Sequence, residues 1–490
     1  MLSQHLKIYD TAIKQKRDFT SLHPNRVKMY CCGPTVYDYL HIGNFRGAVF
    51  FNFVRNWLEF LNYKVEYIYN FTDIDDKILN RSQSEKISPQ QLAEKYIKEF
   101  KKDYNSLKLT PHTANPRATE ALPEIIKLIK RLLKEKKAYE IEGDVFYSVT
   151  SFKGYGYLSG RKTEDLLIGA RIEVDERKKN PLDFALWKKT KPGEAWFFKS
   201  PWGKGRPGWH IECTAMIHKF LGEEIDIHAG GSDLIFPHHE NEIAQSTAVT
   251  NKKYAQFWMH NNMIATEGDK MSKSLGNMIT MREFLTQYPG ELFKFLILSV
   301  HYRSPLQFSK KTLQQALISL SKIYSSLAKA KQLIMDCNES SYFEKEVLQA
   351  EEEIQTAFND DFATPKAFSI FFSLLNRFQK QIEDKQLPLQ KKASSAKKYL
   401  SFFKKYGQAL SLFQEEPSSF LKNLEDKLLE QKNLSREAVQ KKVEERALAR
   451  KNKDFKRADQ LRKELDQIGI EVRDTVQGSE WEIKKYTLTD

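Results

Sequence analysis

The sequence predicts an α/β protein: a parallel-sheet domain split by an insertion, then an α-helical bundle and a small C-terminal domain. Three observations carry this. From Val27 to about Ile78 short β-rich runs alternate with helical ones, near residues 116–200 that rhythm breaks, and after about residue 310 strand signals nearly vanish. At 490 residues the chain is too long for one core, so two to four domains are expected.

The elements follow in order. VKMYCCG reads as a strand ending in glycine. After His41, NFRGAVFFNFVRNWLEFLNY has apolar residues at helical spacing, and KVEYIYNFTDI reads as the next strand. Strand, turn, helix, strand is a βαβ unit, which implies a parallel, Rossmann-like sheet with covered faces. PRATEALPEIIKLIKRLLKEKKAYE reads as a charged helix, followed by the strand-like GDVFYSV and loops rich in Gly, Lys and Arg. This is the expected insertion. The second half of the sheet resumes at GRPGWHIEC and continues through EIDIHAGGSDLIF. KKTLQQALISLSKIYSSLAKAKQLI, FATPKAFSIFFSLLNRFQKQI and the text to Phe413 read as amphipathic helices of a bundle. From Pro417 to Gly469 charges of both signs mix, as on a solvated helical surface or an RNA-facing arm.

Net charge is +14 with a pI of about 9.2, which favours an anionic partner, RNA or DNA, over a merely solubilising surface. The cysteines, Cys31, Cys32, Cys213 and Cys337, are too few for a disulfide scaffold and fit a reducing compartment. The opening MLSQHLKIYDTAIKQKRDF has no apolar signal core. No apolar run approaches the roughly 18–20 residues that span a membrane. A cytoplasmic protein without membrane contact is expected.

Four motifs carry chemistry. In Pro34–Asn44 a strand end meets a helix start near Gly43 and Asn44. Free N–H groups there suit phosphate, Gly43 admits close approach of a nucleotide, and His41 can bond phosphate oxygens. Alone, such a string fits core packing as well. Lys270-Met-Ser-Lys-Ser274 sets Lys270 and Lys273 in a cationic loop. Such a loop can clamp a triphosphate, though a basic surface turn reads the same. Cys32, Cys213 and the run Phe236–Glu242 hold thiolate, imidazole and carboxylate donors, a set suited to zinc. With Pro237 in a first helical turn, His238 and Glu242 stand at i and i+4 on one face. His239 and Glu240 then point elsewhere, leaving His239 as a fallback ligand. Finally, Gly230, Gly231 and Asp233 follow a strand, where α/β sheets bind nucleotides. The two glycines leave room for a flat base, and Asp233 can accept from a ribose hydroxyl.

These residues closely resemble the cysteinyl-tRNA synthetase family of class I aminoacyl-tRNA synthetases. The matching strings are CGPTVYDYLHIGN, NFTDIDDKI, NPLDFALWK, GRPGWHIEC, DIHAGGSDLIFPHHENEIAQS and KMSKSLGN, covering most of residues 25–310. FNDDFATPKA and ARKNKDFKRADQLRKELDQIGIEVRDT look like its helical and C-terminal regions. The resemblance implies zinc on Cys32, Cys213, His238 and Glu242, one ion per chain. It implies ATP-signature motifs at Pro34–Asn44 and Lys270–Ser274, with Lys273 the signature lysine. Trp209 and Thr72 would line the amino-acid pocket.

The domains it implies are 1–115 and 201–265 for the catalytic sheet and 116–200 for a connective insertion. Residues 266–315 would hold the KMSKS loop and stem-contact region, 316–415 the helical bundle, and 416–490 a tRNA- and anticodon-binding region. The implied activity is that of a cysteine–tRNA ligase, a monomer using L-cysteine, ATP with magnesium, and tRNA(Cys). Zinc would give selectivity over serine. One residue departs from the pattern: Asn44 stands where the first signature usually ends in histidine, and its amide can donate but carries no charge. Two rivals are a ligase with a small amino-sugar acceptor, disfavoured by the long basic tail, and a non-catalytic RNA-binding paralogue, suggested only by Asn44.

Overall fold

The computed structural model describes residues 5–160, 175–194, 196–266, 279–334, 342–475 and 478–484. An N-terminal antiparallel hairpin, β1 (Lys7–Asp10) and β2 (Gln15–Asp18), precedes the main sheet. The main sheet is parallel throughout: β3 (Arg26–Cys31), β4 (Lys64–Tyr69), β10 (Ile225–Gly231) and β11 (Ala255–Asn261), in the order β11-β10-β3-β4. From β3 the chain crosses to β4, and from β10 it crosses the other way to β11. The carboxyl ends of β3 and β10 therefore diverge, opening the crevice in which such sheets bind ligands.

The β3–β4 crossover is the helix Ile42–Phe60, buried on nearly every side. Its outer face receives the helical bundle and the segment that leads into it. Phe50 stacks on Tyr302 at 4.3 Å, Phe53 meets Phe358 at 4.8 Å, and Trp57 Nε1 donates to Asn359 Oδ1 at 2.9 Å. One continuous apolar core thus runs from the sheet into the bundle. Arg46 is buried in the same helix, and its guanidinium donates to the carbonyls of Met263, His301, Tyr302 and Ser304. That locks the helix to β12 (Ile264–Thr266) and to the chain entering β13 (Leu306–Phe308), which pair in parallel.

The insertion folds as a separate antiparallel sheet of β5 (Ala138–Ile141), β6 (Asp144–Tyr147), β7 (Phe184–Lys189), β8 (Phe198–Ser200) and β9 (Gly203–Pro207). GRPGWHIEC was expected to open the second half of the parallel sheet. Its first residues instead complete β9, and the parallel domain resumes with the helix Trp209–Phe220. The helix Leu122–Lys134, expected within the insertion, packs on the parallel domain: Ile125, Leu128, Ile129 and Leu132 share a core with Ile211, Met216, Ile217 and Ala244. The inserted sheet reaches the same core through Val145, Tyr147, Leu186 and Trp187.

The bundle comprises the helices Lys310–Gln332, Glu344–Asn359, Thr364–Glu383, Leu389–Leu410 and Pro417–Glu430. Ser309 caps the first of them in a capping box with Thr312. Beyond lie the helices Arg436–Lys451 and Phe455–Gln467, and then a hairpin that the sequence reading lacked, β14 (Ile470–Thr475) and β15 (Gly478–Ile483). Its strands are rich in charge, which hid them. Ile470 and Ile483, cross-strand partners, are nonetheless buried, and Arg446 grips Asp474 through two bonds of 2.8 and 3.0 Å. Among the described residues no helix is long and apolar enough to cross a membrane.

Candidate active site and metal centre

The site forms where β3 and β10 part. Cys32 follows β3, and its N–H donates to Ala229 O at 3.1 Å, extending the sheet by one bond. Cys213 comes from the helix Trp209–Phe220, and Glu242 from the first turn of the helix Glu240–Thr250. His238 precedes that helix. One ligand atom from each of Cys32, Cys213, His238 and Glu242 lies within 4.8 Å of the others.

The edges of this group suit a tetrahedral zinc ion. The usual zinc bond lengths set S···S near 3.8 Å, S···O near 3.5 Å and N···O near 3.3 Å, all about. Cys32 Sγ–Cys213 Sγ is 3.7 Å, Cys32 Sγ–Glu242 Oε1 is 3.6 Å and His238 Nε2–Glu242 Oε1 is 3.1 Å. The donor set and its size both fit.

Further groups hold these donors in place. Glu242 Oε2 accepts from Tyr254 Oη at 3.0 Å and lies 2.9 Å from His228 Nε2, leaving Oε1 for the cluster. His238 Nδ1 is 2.9 Å from His210 Nδ1. Such partners fix ligand orientation. Without metal, burial opposes charge on His238, yet Cys213 and Glu242 lift it to about 10. The hydrogen bond from Cys32 brings the Cys213 thiol down to about 6 against its burial, and burial pushes Cys32 up. Metal binding at this site must therefore displace protons. Cys31 is pushed up to about 12 by burial and stays an inert thiol; Cys337 lies outside the described residues.

The first signature sits beside this cluster. His41 caps the helix Ile42–Phe60: its Nδ1 accepts from Gly43 N at 3.1 Å, while Asn44 Oδ1 accepts from His41 N at 3.2 Å. Asn44 thus has a local task as the return arm of a capping box. Lys270 and Lys273 lie outside the described residues. The chain just beyond them, however, is bonded to the first signature, with Ile42 N donating to Ile279 O at 3.0 Å and Met281 N to Leu40 O at 2.9 Å.

Thr72 is buried; its N–H donates to Pro34 O and its carbonyl accepts from Val36 N, both at 3.2 Å. Trp209 is 41% exposed and lays its ring 4.4 Å from His238. It borders a cleft of about 1920 Å³ between the two sheets, lined also by His210, Pro237, Asp75, Lys188 and Arg206. Asp233 is exposed on the turn Ser232–Leu234, its Oδ1 2.5 Å from where a Cβ on Gly231 would stand. A Cβ on Gly230 would come within 2.8 Å of the His239 ring, which packs against this glycine.

Comparison with known proteins decides the family. The profile for the tRNA synthetases class I (C) catalytic domain matches residues 18–318, the DALR domain 353–414, and the cysteinyl-tRNA ligase anticodon binding domain 436–481. A Cysteine–tRNA ligase of Bdellovibrio bacteriovorus is 52% identical over 482 residues, which cover 98% of this chain and all of that protein. The chain belongs to the cysteine–tRNA ligase family. It is therefore an enzyme. A second family member, from Carboxydothermus hydrogenoformans, is 44% identical over 481 residues, 97% of this chain and 99% of that one. Among solved structures, Mycobacterium tuberculosis methionyl-tRNA synthetase in complex with methionyl-adenylate superposes with a TM-score of 0.59. It has 12% identity and covers 81% of this chain and 93% of that one. At that identity the likeness speaks for the fold alone.

In this cysteine–tRNA ligase family member, two histidines at the cluster escape a reading by helical spacing. His239 was expected to point elsewhere. Its Nε2 instead lies 3.3 Å from Cys32 Sγ, and its Nδ1 2.8 Å from His260 Nε2. The reason is local: Phe236 is extended (φ −138°, ψ 133°), the regular helix begins only at Glu240, and the irregular turn aims both histidines inward. His228 was missed. Period-2 alternation along IDIHAGG puts it on the face of β10 that Gly230 shares, and that signal was available. Cys32, His228, His239 and Glu242 form a second group within 4.8 Å.

Proposed function

We propose that the chain activates L-cysteine with ATP and transfers it to the 3′ end of tRNA(Cys), with Cys32, Cys213, His238 and Glu242 selecting the thiol. The carrying observation is the convergence of those four donors within 4.8 Å beside Trp209, three of their separations matching a tetrahedral zinc, at the parting of β3 and β10. Full-length likeness to cysteine–tRNA ligases supports the reaction, and the anticodon binding profile over 436–481 supports tRNA over a small acceptor.

In the first step a cysteine carboxylate oxygen attacks the α-phosphorus of magnesium-bound ATP. The bond to the β-phosphate oxygen breaks, and pyrophosphate leaves. His41 faces the phosphates, the absence of a side chain at Gly43 admits their approach, Asn44 donates its amide, and Lys270 and Lys273 neutralise the departing charge. Gly231 and Asp233 serve the nucleoside. Trp209 and Thr72 wall the amino acid. In the second step a terminal ribose hydroxyl attacks the adenylate carbonyl, AMP leaves, and the hydroxyl proton passes to the departing phosphate or to water. A zinc ion held by the four donors supplies, when bound, a soft Lewis acid that prefers a thiolate to a hydroxyl. A pocket without such an ion separates cysteine from serine poorly. We read the active form as a monomer.

Cysteine-dependent ATP–pyrophosphate exchange, with serine run beside it, tests this. Exchange with cysteine and almost none with serine is expected. No exchange by folded, zinc-loaded protein would sink the proposal.

Asn44 gives a second measurement. Asn44→Ala loses both the capping bond and the amide donor, so exchange should slow by about 100- to 1000-fold, the range for a lost oxyanion donor. Asn44→His should equal or exceed the parent with a lower KM for ATP. Equal rates for all three proteins would remove Asn44 from the phosphate site.

A further inference from the structure

The helix Trp209–Phe220 carries a carboxyl group that the mechanism above does not use. Glu212 is 1% exposed. The side chain of Thr72 lies near it, and its Oε2 is buried with no hydrogen-bond partner among the described residues. The nearby carboxylates are occupied. Asp73 accepts from Thr119 N at 3.0 Å and from Thr119 Oγ1 at 2.6 Å, and Asp75 caps the helix Asp76–Glu85 through Lys77 N at 2.8 Å. Two cations that line the cleft have carboxylate partners, Arg206 with Asp76 and Glu194 and Lys188 with Asp76, although Arg206 Nε is left without one among the described residues.

Glu212 is thus a buried acceptor in an acidic neighbourhood, without a donor or a cation of its own. Buried polar groups are rarely left so, and one that is left open calls for an explanation. Its position suggests what completes it. Glu212 precedes Cys213 in the chain, lies near Thr72, and follows Trp209 by about one helical turn. In free cysteine three bonds link the ammonium nitrogen to the sulfur. A group that recognises the ammonium must therefore stand close to the group that recognises the thiol.

We propose that Glu212 receives the α-ammonium group of the cysteine substrate on its open carboxyl oxygen, with Thr72 orienting the carboxyl. This rests on the reading of the site as one that binds cysteine. It assigns the polar end of the amino acid to a residue outside the metal-binding group. The acidic setting also favours an amino acid over an anionic thiol lacking the amine.

The test pairs Glu212→Gln with two fragments of the substrate, cysteamine (ammonium and thiol) and 3-mercaptopropionate (carboxylate and thiol). Their binding to the zinc-loaded full-length protein is followed by calorimetry, which needs no turnover. In Glu212→Gln, cysteamine affinity and 1/KM for cysteine in exchange should fall together by at least tenfold. Affinity for 3-mercaptopropionate and KM for ATP should stay as in the parent. Glu212→Asp, which keeps the carboxyl on a shorter arm, should recover part of the loss and guards against a folding defect in the glutamine variant. A parallel loss for both fragments would mean that Glu212 merely supports the pocket, and no loss for either would also overturn the proposal. If the parent binds both fragments but performs no exchange, the reading of the reaction fails while the role of Glu212 is still decided.

Discussion

Cys213→Ser should yield a folded protein that carries no zinc and activates cysteine at least about 100-fold more slowly, since even an outer partner of a metal ligand is worth 10- to 100-fold. The reason is the donor set. At the observed spacing, Cys213 closes one edge of the tetrahedron at 3.7 Å from Cys32 and belongs to the helix that also carries Trp209. A serine hydroxyl at that corner is a harder donor that gives up its proton far less readily. Metal content by mass spectrometry and exchange with cysteine measure the two effects, and far-ultraviolet circular dichroism checks folding. The same variant separates the two groups at the cluster. Full zinc in Cys213→Ser would move the ion to Cys32, His228, His239 and Glu242, which lie equally close together. His239→Ala, rather than His238→Ala, would then be the variant that loses it.

Gly33→Ala should destabilise the protein by about 3 kcal/mol or more, at the top of the usual range for overpacking. A Cβ at Gly33 would stand 1.8 Å from Asn70 O and 2.9 Å from its carbonyl carbon, and neither atom can swing aside as a side-chain tip does. Gly33 N also donates to Asn70 Oδ1 at 2.8 Å, so the ends of β3 and β4 are tied at this point. Relief requires the strand ends to separate, which moves Cys32 on one side and Pro34 to His41 on the other. The apparent melting temperature should fall by several degrees. Exchange activity should fall with it even at temperatures where the variant is folded. An unchanged melting curve would show that the loop after β3 yields without disturbing the sheet.

Both variants act on a region whose parts were unequally legible in the chain. Local periodicity was enough for VKMYC as a strand, for the helix after His41, and for His238 and Glu242 as neighbours one turn apart. Those features depend on hydrogen bonds and burial within a few residues, which short stretches encode directly. The donor types, two thiols with imidazole and carboxylate, were likewise visible as chemistry.

What spacing could not decide was everything set by long-range pairing. Cys32 and Cys213 meet only because β3 and β10 are adjacent while their crossovers leave in opposite directions, and sheet order is not written in any one strand. His239 turns inward because the chain is extended at Phe236, a local break that helical spacing assumes away. The last strand of the inserted sheet was taken for the parallel domain because β9 is recognisable only by its partners β7 and β8. The C-terminal hairpin was hidden by its charges, of which the fold pairs Asp474 with Arg446 and Arg473 with Glu471 and Glu482. Asn44 shows the same limit at a single position. Its departure from the family signature was plain in the sequence, but that its carbonyl oxygen completes the cap on His41 depended on how the backbone turns there. The sequence by itself determined the local elements and the donor chemistry; the tertiary structure decided which donors share a site, because only packing brings distant segments within bonding range.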